Sequence, residues 1–294
     1  MTEAGGDCVI VGGGPAGLVT AVYLGRFRRR AVVIDAGESR ARWIPTSHNL
    51  PGFPDGIGGP EFLDRLRAQA VRYGADLRTG RVHSVERDGT DFVVRGPGFD
   101  IRAATVVFAT GVVDCFPDMT RPEQAVDAGL LRFCPVCDGF EAIDKAVGVI
   151  GPAGRALPEA SYLTTFSSDV TVVFTEPADV VAPEPPVKLG HGLLTFIETI
   201  GRKVRVGTDT GAEYAFDTIY PALGTAPRSE LAIRLGLAVN EAGCLVTDPH
   251  QRTVVDGAYA VGDVVNELNQ IAVAAGHAAI AGTDIHNRLR KAGR

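Results

Sequence analysis

Gly12-Gly13-Gly14-Pro15-Ala16-Gly17 follows a short apolar run, Cys8 to Val11, and opens a helical pattern from Pro15 to about Arg28. A second apolar run, Ala31 to Ile34, comes next and is closed by Asp35. Strand, glycine turn, helix and strand in this order predict the start of a parallel sheet. The six residues fit G-x-G-x-x-G in the context that gives the pattern meaning. Glycines let the backbone turn sharply and approach a pyrophosphate closely, and the helix N-terminus offers unpaired N–H groups to its oxygens. Asp35 stands where an acid accepts ribose hydroxyls. Gly12, Gly14, Pro15, Ala16, Gly17 and Asp35 are therefore candidate dinucleotide ligands. A glycine-rich turn with no ligand is the alternative; strand, helix and acid together weigh against it.

Outward from this turn, a Pro- and Gly-rich loop (Pro45 to Pro60) leads to a helix over Pro60–Tyr73 and then to short alternating segments at 82–86 and 92–95. Thr105–Ala109 reads as a buried strand ending at Thr110-Gly111. The pattern restarts at Ala146–Ile150, with a glycine-containing turn at 151–154, a helix to about Phe166 and a strand at Val170–Phe174. A C-terminal helix begins near Ile271. The expected fold class is α/β, with two dinucleotide-binding, Rossmann-like three-layer domains. The first is discontinuous, residues 1–112 and 226–294. The second, 113–225, is inserted in it and reduced in size.

The chain has 294 residues, 45% apolar and 22% charged, with a net charge of −6. That composition suits a globular protein. Arg26, Arg28, Arg29 and Arg30 form a short solvated helix end rather than a basic face, so no nucleic-acid partner is expected. No signal peptide and no apolar stretch of membrane-spanning length is visible. The expected location is cytoplasmic. Five cysteines do not make a disulfide scaffold.

Two of them stand in Phe133-Cys134-Pro135-Val136-Cys137-Asp138-Gly139. Such a pair forms a small disulfide ring or half of a zinc site. Cys115 and Cys244 are isolated and His191 has no close partner, so no metal is expected. A structural disulfide is disfavoured in a reducing compartment, which leaves a redox pair. One sulfur must act as a thiolate to attack a disulfide. Asp138 suits a proton donor and acceptor for the leaving thiolate, its alternative being a turn residue before Gly139. Cys8, Cys115 and Cys244 read as small buried hydrophobes.

C-x-x-C-D-G lies between Ala109-Thr110-Gly111 and a second β-α-β unit. With the N-terminal glycine motif, His48-Asn49-Leu50-Pro51-Gly52, Val261-Gly262-Asp263 and Asn269-Gln270-Ile271, it makes the chain resemble the low-molecular-weight thioredoxin reductases over nearly its whole length. The resemblance implies FAD at the first glycine motif. Ala109, Thr110, Gly111, Gly262 and Asp263 would help hold the flavin, and His48, Asn49, Gln270 and Ile271 would line it. His48 is alternatively a satisfied structural histidine, and Trp43 in the same loop is interface or core packing. By the same resemblance Cys137 lies against the flavin, Cys134 attacks the substrate disulfide, Asp138 is the general acid, and the protein is a homodimer paired through its FAD domains. The implied partner is a thioredoxin-like protein or a small dithiol or disulfide.

The family binds NADPH at its second glycine motif, which here reads Gly151-Pro152-Ala153-Gly154-Arg155-Ala156. Ala153 replaces the middle glycine, and Pro152 and Pro158 each remove an N–H donor. Where the family carries His and Arg for the 2′-phosphate, this chain has Thr175-Glu176-Pro177-Ala178-Asp179. Glu176 would repel that phosphate, though it could accept the ribose hydroxyls of NADH. Residues 180–188 are Pro-rich and lead almost directly to the last strands, where more helix and sheet are expected. The expectation is a degraded site: a flavin dithiol/disulfide oxidoreductase whose donor is not NADPH. Two alternatives stand beside it, a flavin dithiol oxidase passing electrons to oxygen and a non-catalytic flavin redox sensor.

Overall fold

A computed structural model describes residues 3–180, 187–265 and 268–294, the side chains of residues 4 and 5 excepted. The first stretch runs β1 (Glu3–Val11), α1 (Pro15–Arg26), β2 (Ala31–Asp35), α2 (Gly59–Arg72), β3 (Asp76–Thr79), β4 (Ser84–Asp88), β5 (Asp91–Gly96) and β6 (Phe99–Phe108). The middle holds β7 (Val112–Asp114), α3 (Pro122–Asp127), α4 (Pro135–Asp138), β8 (Val147–Gly151), α5 (Ala153–Leu163) and β9 (Val170–Phe174). Then come β10 (Lys188–Ile200), β11 (Lys203–Thr208), β12 (Glu213–Phe216) and β13 (Thr218–Pro221). The last stretch is β14 (Thr225–Pro227), α6 (Glu230–Arg234), β15 (Ala258–Ala260) and α7 (Ile271–Lys291).

Two compact units result. The first comprises residues 1–42, 59–113 and 226–294; the second comprises 43–58 and 114–225. The loop 43–58 thus clusters with the inserted unit. Both are α/β units of Rossmann-like type. In the first, the sheet order is β3-β2-β1-β6-β5-β4, and β15 also pairs with β6. β1, β2, β3, β6 and β15 are mutually parallel where they pair, while β4 and β5 form an antiparallel meander beside β6. β1 is central, and side-chain alternation divides its residues between two faces. Val9 and Val11 join the core with Val32, Ile34, Phe108, Ala232 and Leu237. Ile10 faces the other way, toward Gly17 of α1.

The second unit has the sheet order β12-β11-β10-β9-β8-β13. β13, β8, β9 and β10 pair in parallel, and β11 and β12 return antiparallel. It is therefore not short of sheet, contrary to the sequence expectation. A parallel pair needs a crossover that is usually helical. Between β9 and β10 the described residues, 175–180 and 187, contain no helix; the Pro-rich residues 181–186 lie outside the described set. No helix among the described residues is long and apolar enough to cross a membrane.

Candidate functional site

In the first unit, β1 delivers the chain to Gly12, whose N–H donates to Ile34 O at 2.9 Å. Gly12 has φ +111°, and a Cβ there would stand 2.3 Å from Ala109 O. Only glycine suits both the dihedral and the space. A Cβ on Gly17 would meet Gly12 O at 1.9 Å, so α1 seats directly on the turn. Gly14 differs. It is the N-cap of α1, in extended backbone, and a Cβ there would meet only Ser39, at 3.1 Å. Pro15 opens the helix, where its missing N–H costs nothing. The Asp35 carboxylate lies against Gly13, its Oδ1 accepting from Gly37 N–H at 2.9 Å.

Ala109 N–H donates to Val11 O at 2.9 Å, and Thr110 Oγ1 donates to Arg228 O at 2.6 Å. A Cβ on Gly262 would stand 2.7 Å from Ala16 Cβ, which places Gly262 and Asp263 beside the opening of α1. Gln270 is the N-cap of α7 and Ile271 its first residue. Gly12, Gly13, Ala16, Gly17, Asp35, Ala109 and Gly262 thus gather around one glycine turn, with the close backbone and helix N-terminus that a pyrophosphate needs and an acid at the end of β2 that could accept ribose hydroxyls.

In the second unit Cys134 and Cys137 form a disulfide with a Cα–Cα distance of 5.2 Å. Cys134 is the N-cap of α4, and its Sγ accepts from Cys137 N–H at 3.1 Å. Pro135 starts the helix and Cys134 O accepts from Asp138 N–H at 3.1 Å. Behind the pair, Arg132 Nη1 donates to Asp138 Oδ2 at 2.9 Å. Tyr220 Oη, from β13, donates to Asp138 Oδ1 at 3.0 Å and lies 3.1 Å from Asp138 O. Leu131 bridges to Ile219, and Arg132 N–H donates to Ile219 O at 3.0 Å, so the turn is stitched to β13 from both sides. Burial pushes the Asp138 carboxyl above its ordinary pKa, opposed by Arg132 and Tyr220. Burial and Asp138 raise the Tyr220 phenol, which keeps it a donor.

His48 and Asn49 sit in this unit. Asn49 Nδ2 reaches Val136 O at 3.5 Å, and His48 Nε2 lies 3.9 Å from Glu141 Oε1. Trp43 packs edge-on to Phe116 at 6.0 Å, and Phe116 on Phe133 at 4.8 Å, the residue before Cys134. Cys8 and Cys244 are buried, the thiol of Cys8 pushed up to about 12 by burial. Cys115 corrects the expectation: it is exposed, lying past the end of β7. Among the described residues no group of three or more His, Cys, Asp or Glu is placed to hold a metal ion.

At the second glycine motif Pro152 is the N-cap of α5 and Pro158 sits inside that helix. The Arg155 guanidinium folds onto Gly224, where a Cβ would stand 1.9 Å from Nη1. Pro135, Val136, Arg155, Glu159, Tyr162 and Gly224 line one open cleft there. Arg132, Tyr220 and Glu159 carried no motif. Arg132 lies two residues before Cys134, a proximity that was available as a signal; the other two reach the site only through the sheet and α5.

The sequence matches the pyridine nucleotide-disulphide oxidoreductase family over residues 6–182 and 186–278. A thioredoxin reductase from Streptomyces clavuligerus is 31% identical over 305 residues, covering 96% of this chain and 94% of the relative. The crystal structure of HlmI is similar with a TM-score of 0.90 at 29% identity, over 99% of this chain and 95% of that one. A thioredoxin reductase from Streptococcus pyogenes gives a TM-score of 0.88 at 27% identity, over 97% of this chain and 98% of that one.

Proposed function

The chain belongs to the pyridine nucleotide-disulphide oxidoreductase family, as a thioredoxin reductase-like flavin disulfide oxidoreductase, and from that premise we propose that it exchanges electron pairs between FAD and an external dithiol or disulfide through Cys134 and Cys137, with a donor other than NADPH. The observation that carries this is the Cys134–Cys137 disulfide backed by the Asp138 carboxyl. Gly12, Gly14, Pro15, Ala16, Gly17, Asp35, Ala109, Thr110, Gly111, Gly262 and Asp263 would hold FAD and His48, Asn49, Gln270 and Ile271 would line it, and the flavin would supply the two-electron exchange with the pair. The remaining chemistry belongs to the protein.

In the reducing direction an electron pair enters the disulfide and the S–S bond breaks. One sulfur takes a proton from Asp138, and Cys134 serves as the thiolate nucleophile. It attacks one sulfur of the partner disulfide, and the partner's other sulfur leaves as a thiolate. Cys137 returns its proton to the Asp138 carboxylate and, as thiolate, then attacks Cys134 Sγ. The Cys134–Cys137 bond re-forms and the partner leaves as a dithiol once two protons are supplied. Asp138 moves the proton at the leaving sulfur; Arg132 and Tyr220 hold its carboxyl in place. The partner is a thioredoxin-like protein or a small disulfide, and the acting form is a cytoplasmic homodimer.

The second glycine motif favours a donor other than a nicotinamide. Pro152 withdraws an N–H where phosphate would be met, Ala153 adds a Cβ, Arg155 occupies the space over Gly224, and Glu176 follows β9. These same departures favour a second reading, in which a partner dithiol reduces the pair and two electrons with two protons pass to oxygen, giving peroxide.

Anaerobic titration of the holoenzyme with NADPH, then NADH, then dithiothreitol tests both. Bleaching of the flavin absorbance only by dithiothreitol is expected. Fast stoichiometric bleaching by NADPH overturns the assignment of the donor. Readmission of oxygen then separates the two directions, because rapid recolouring with release of peroxide favours the oxidase.

A further inference from the structure

The mechanism above uses Asp138 and leaves a second carboxyl beside it without a role. Glu159 lies on α5. It interacts electrostatically with Asp138 and lines the open cleft together with Pro135 and Val136, the two residues between the cysteines. Its Oε1 is buried and has no hydrogen-bond partner among the described residues. Leaving a buried carboxyl oxygen unpaired is costly, and more so when the group is charged. The neutral acid avoids that cost.

We infer that Glu159 is a proton-relay residue of the Cys134–Cys137 centre, passing protons between the cleft and Asp138. This rests on the reading of Asp138 as the acid for the leaving sulfur.

The two carboxyls have opposite surroundings. Asp138 accepts from Arg132 and Tyr220, which favour its ionised form, with Glu141 the nearby like charge. Glu159 has neither partner. α5 packs against β8, β9 and α4. β8 and β9 carry no titratable side chain, so Asp138 faces Glu159 from α4, and Arg155 and Tyr162 share the cleft from its own helix. Burial first, then Asp138, pushes the Glu159 carboxyl up to about 7. Two carboxyls driven apart in this way divide the roles of acid and base. In each transfer the O–H bond of Glu159 breaks, its proton passes to the Asp138 carboxylate, and Asp138 gives a proton to the leaving sulfur. Glu159 is recharged from the cleft. No electrons move in this step, and the titration belongs to the pair.

The test is stopped-flow reduction of the aerobically purified holoenzyme by dithiothreitol under anaerobic conditions, comparing E159Q and D138N with the unchanged protein across pH. The ratio of rates cancels the titration of dithiothreitol itself. For E159Q this ratio is expected to fall by about tenfold between pH 5 and pH 8, with E159D restoring most of the loss. D138N is expected to be slow throughout. A flat E159Q ratio beside a slow D138N overturns the inference about Glu159 alone. An unimpaired D138N overturns the role of Asp138. Should E159Q fail to fold, infrared spectra of the unchanged oxidised protein decide: a protonated-carboxyl band present at pH 6 and lost by pH 8 is expected, and its absence at pH 6 overturns the inference.

Discussion

Tyr220, at the end of β13, places its hydroxyl 3.0 Å from Oδ1 of Asp138, immediately after the redox pair in sequence. A strand far along the chain thus sets the orientation of the acid next to Cys137. The hydroxyl donates, so it stabilises the ionised carboxylate and lowers the Asp138 pKa against the effect of burial.

Tyr220→Phe removes that donor and keeps the ring. The Asp138 pKa should rise, and the alkaline limb of the pH profile for thiol exchange should move to higher pH, opposite in sign to Glu159→Gln. Loss of one such hydrogen bond is worth about 1–2 kcal/mol, so exchange at neutral pH should slow by about five- to thirtyfold through misorientation. An unchanged pH profile in a folded Tyr220→Phe protein would remove Tyr220 from the mechanism.

Cys134→Ser and Cys137→Ser should each abolish exchange with a protein disulfide while leaving the flavin bound, because the two sulfurs lie in one unit and the glycine turn in the other. Absorbance spectra and turnover together check this. Normal turnover by either single variant contradicts the disulfide mechanism.

Gly14 and Gly17 should separate folding from cofactor loading. A methyl on Gly17 meets Gly12 O at 1.9 Å, a clash between two backbones that only a shift of α1 relieves, so Gly17→Ala should lose the fold. Gly14 already has an extended backbone, and an added Cβ meets only the small Ser39 side chain. Gly14→Val should therefore fold, with circular dichroism like the parent, and bind no flavin. A yellow, fully loaded Gly14→Val protein would sink the assignment of FAD to this turn.

The parts of the site that are local in sequence were legible. The glycine turn, Asp35 and the cysteine pair each declare their chemistry within a few residues, and the apolar runs of β1, β2, β8 and β9 announce buried parallel strands. Tyr220 and Glu159 were not, because their place near Asp138 depends on β13 pairing with β8 and on the packing of α5, both long-range events; Arg132 was near in sequence but carries no motif. β10 was missed for a local reason. Gly190 and Gly192 interrupt its apolar pattern and mimic a turn, and the Pro-rich stretch before it supports the same misreading. Exposure of Cys115 was equally illegible, since a cysteine carries no sign of which side of a strand end it leaves by.

The stitching of residues 131–138 to β13 has a consequence for how the site breathes. Its amides should not exchange with solvent deuterium as an independent surface loop would. The Leu131–Ile219 bridge, the Arg132 N–H bond and the Tyr220 hydroxyl tie the reactive segment to β13, the end strand of the second unit's sheet. Local opening of the disulfide segment then requires breaking these ties to β13, so its exchange is expected to follow that of the strand. The disulfide segment is thereby expected to exchange with its strand and not as a free loop.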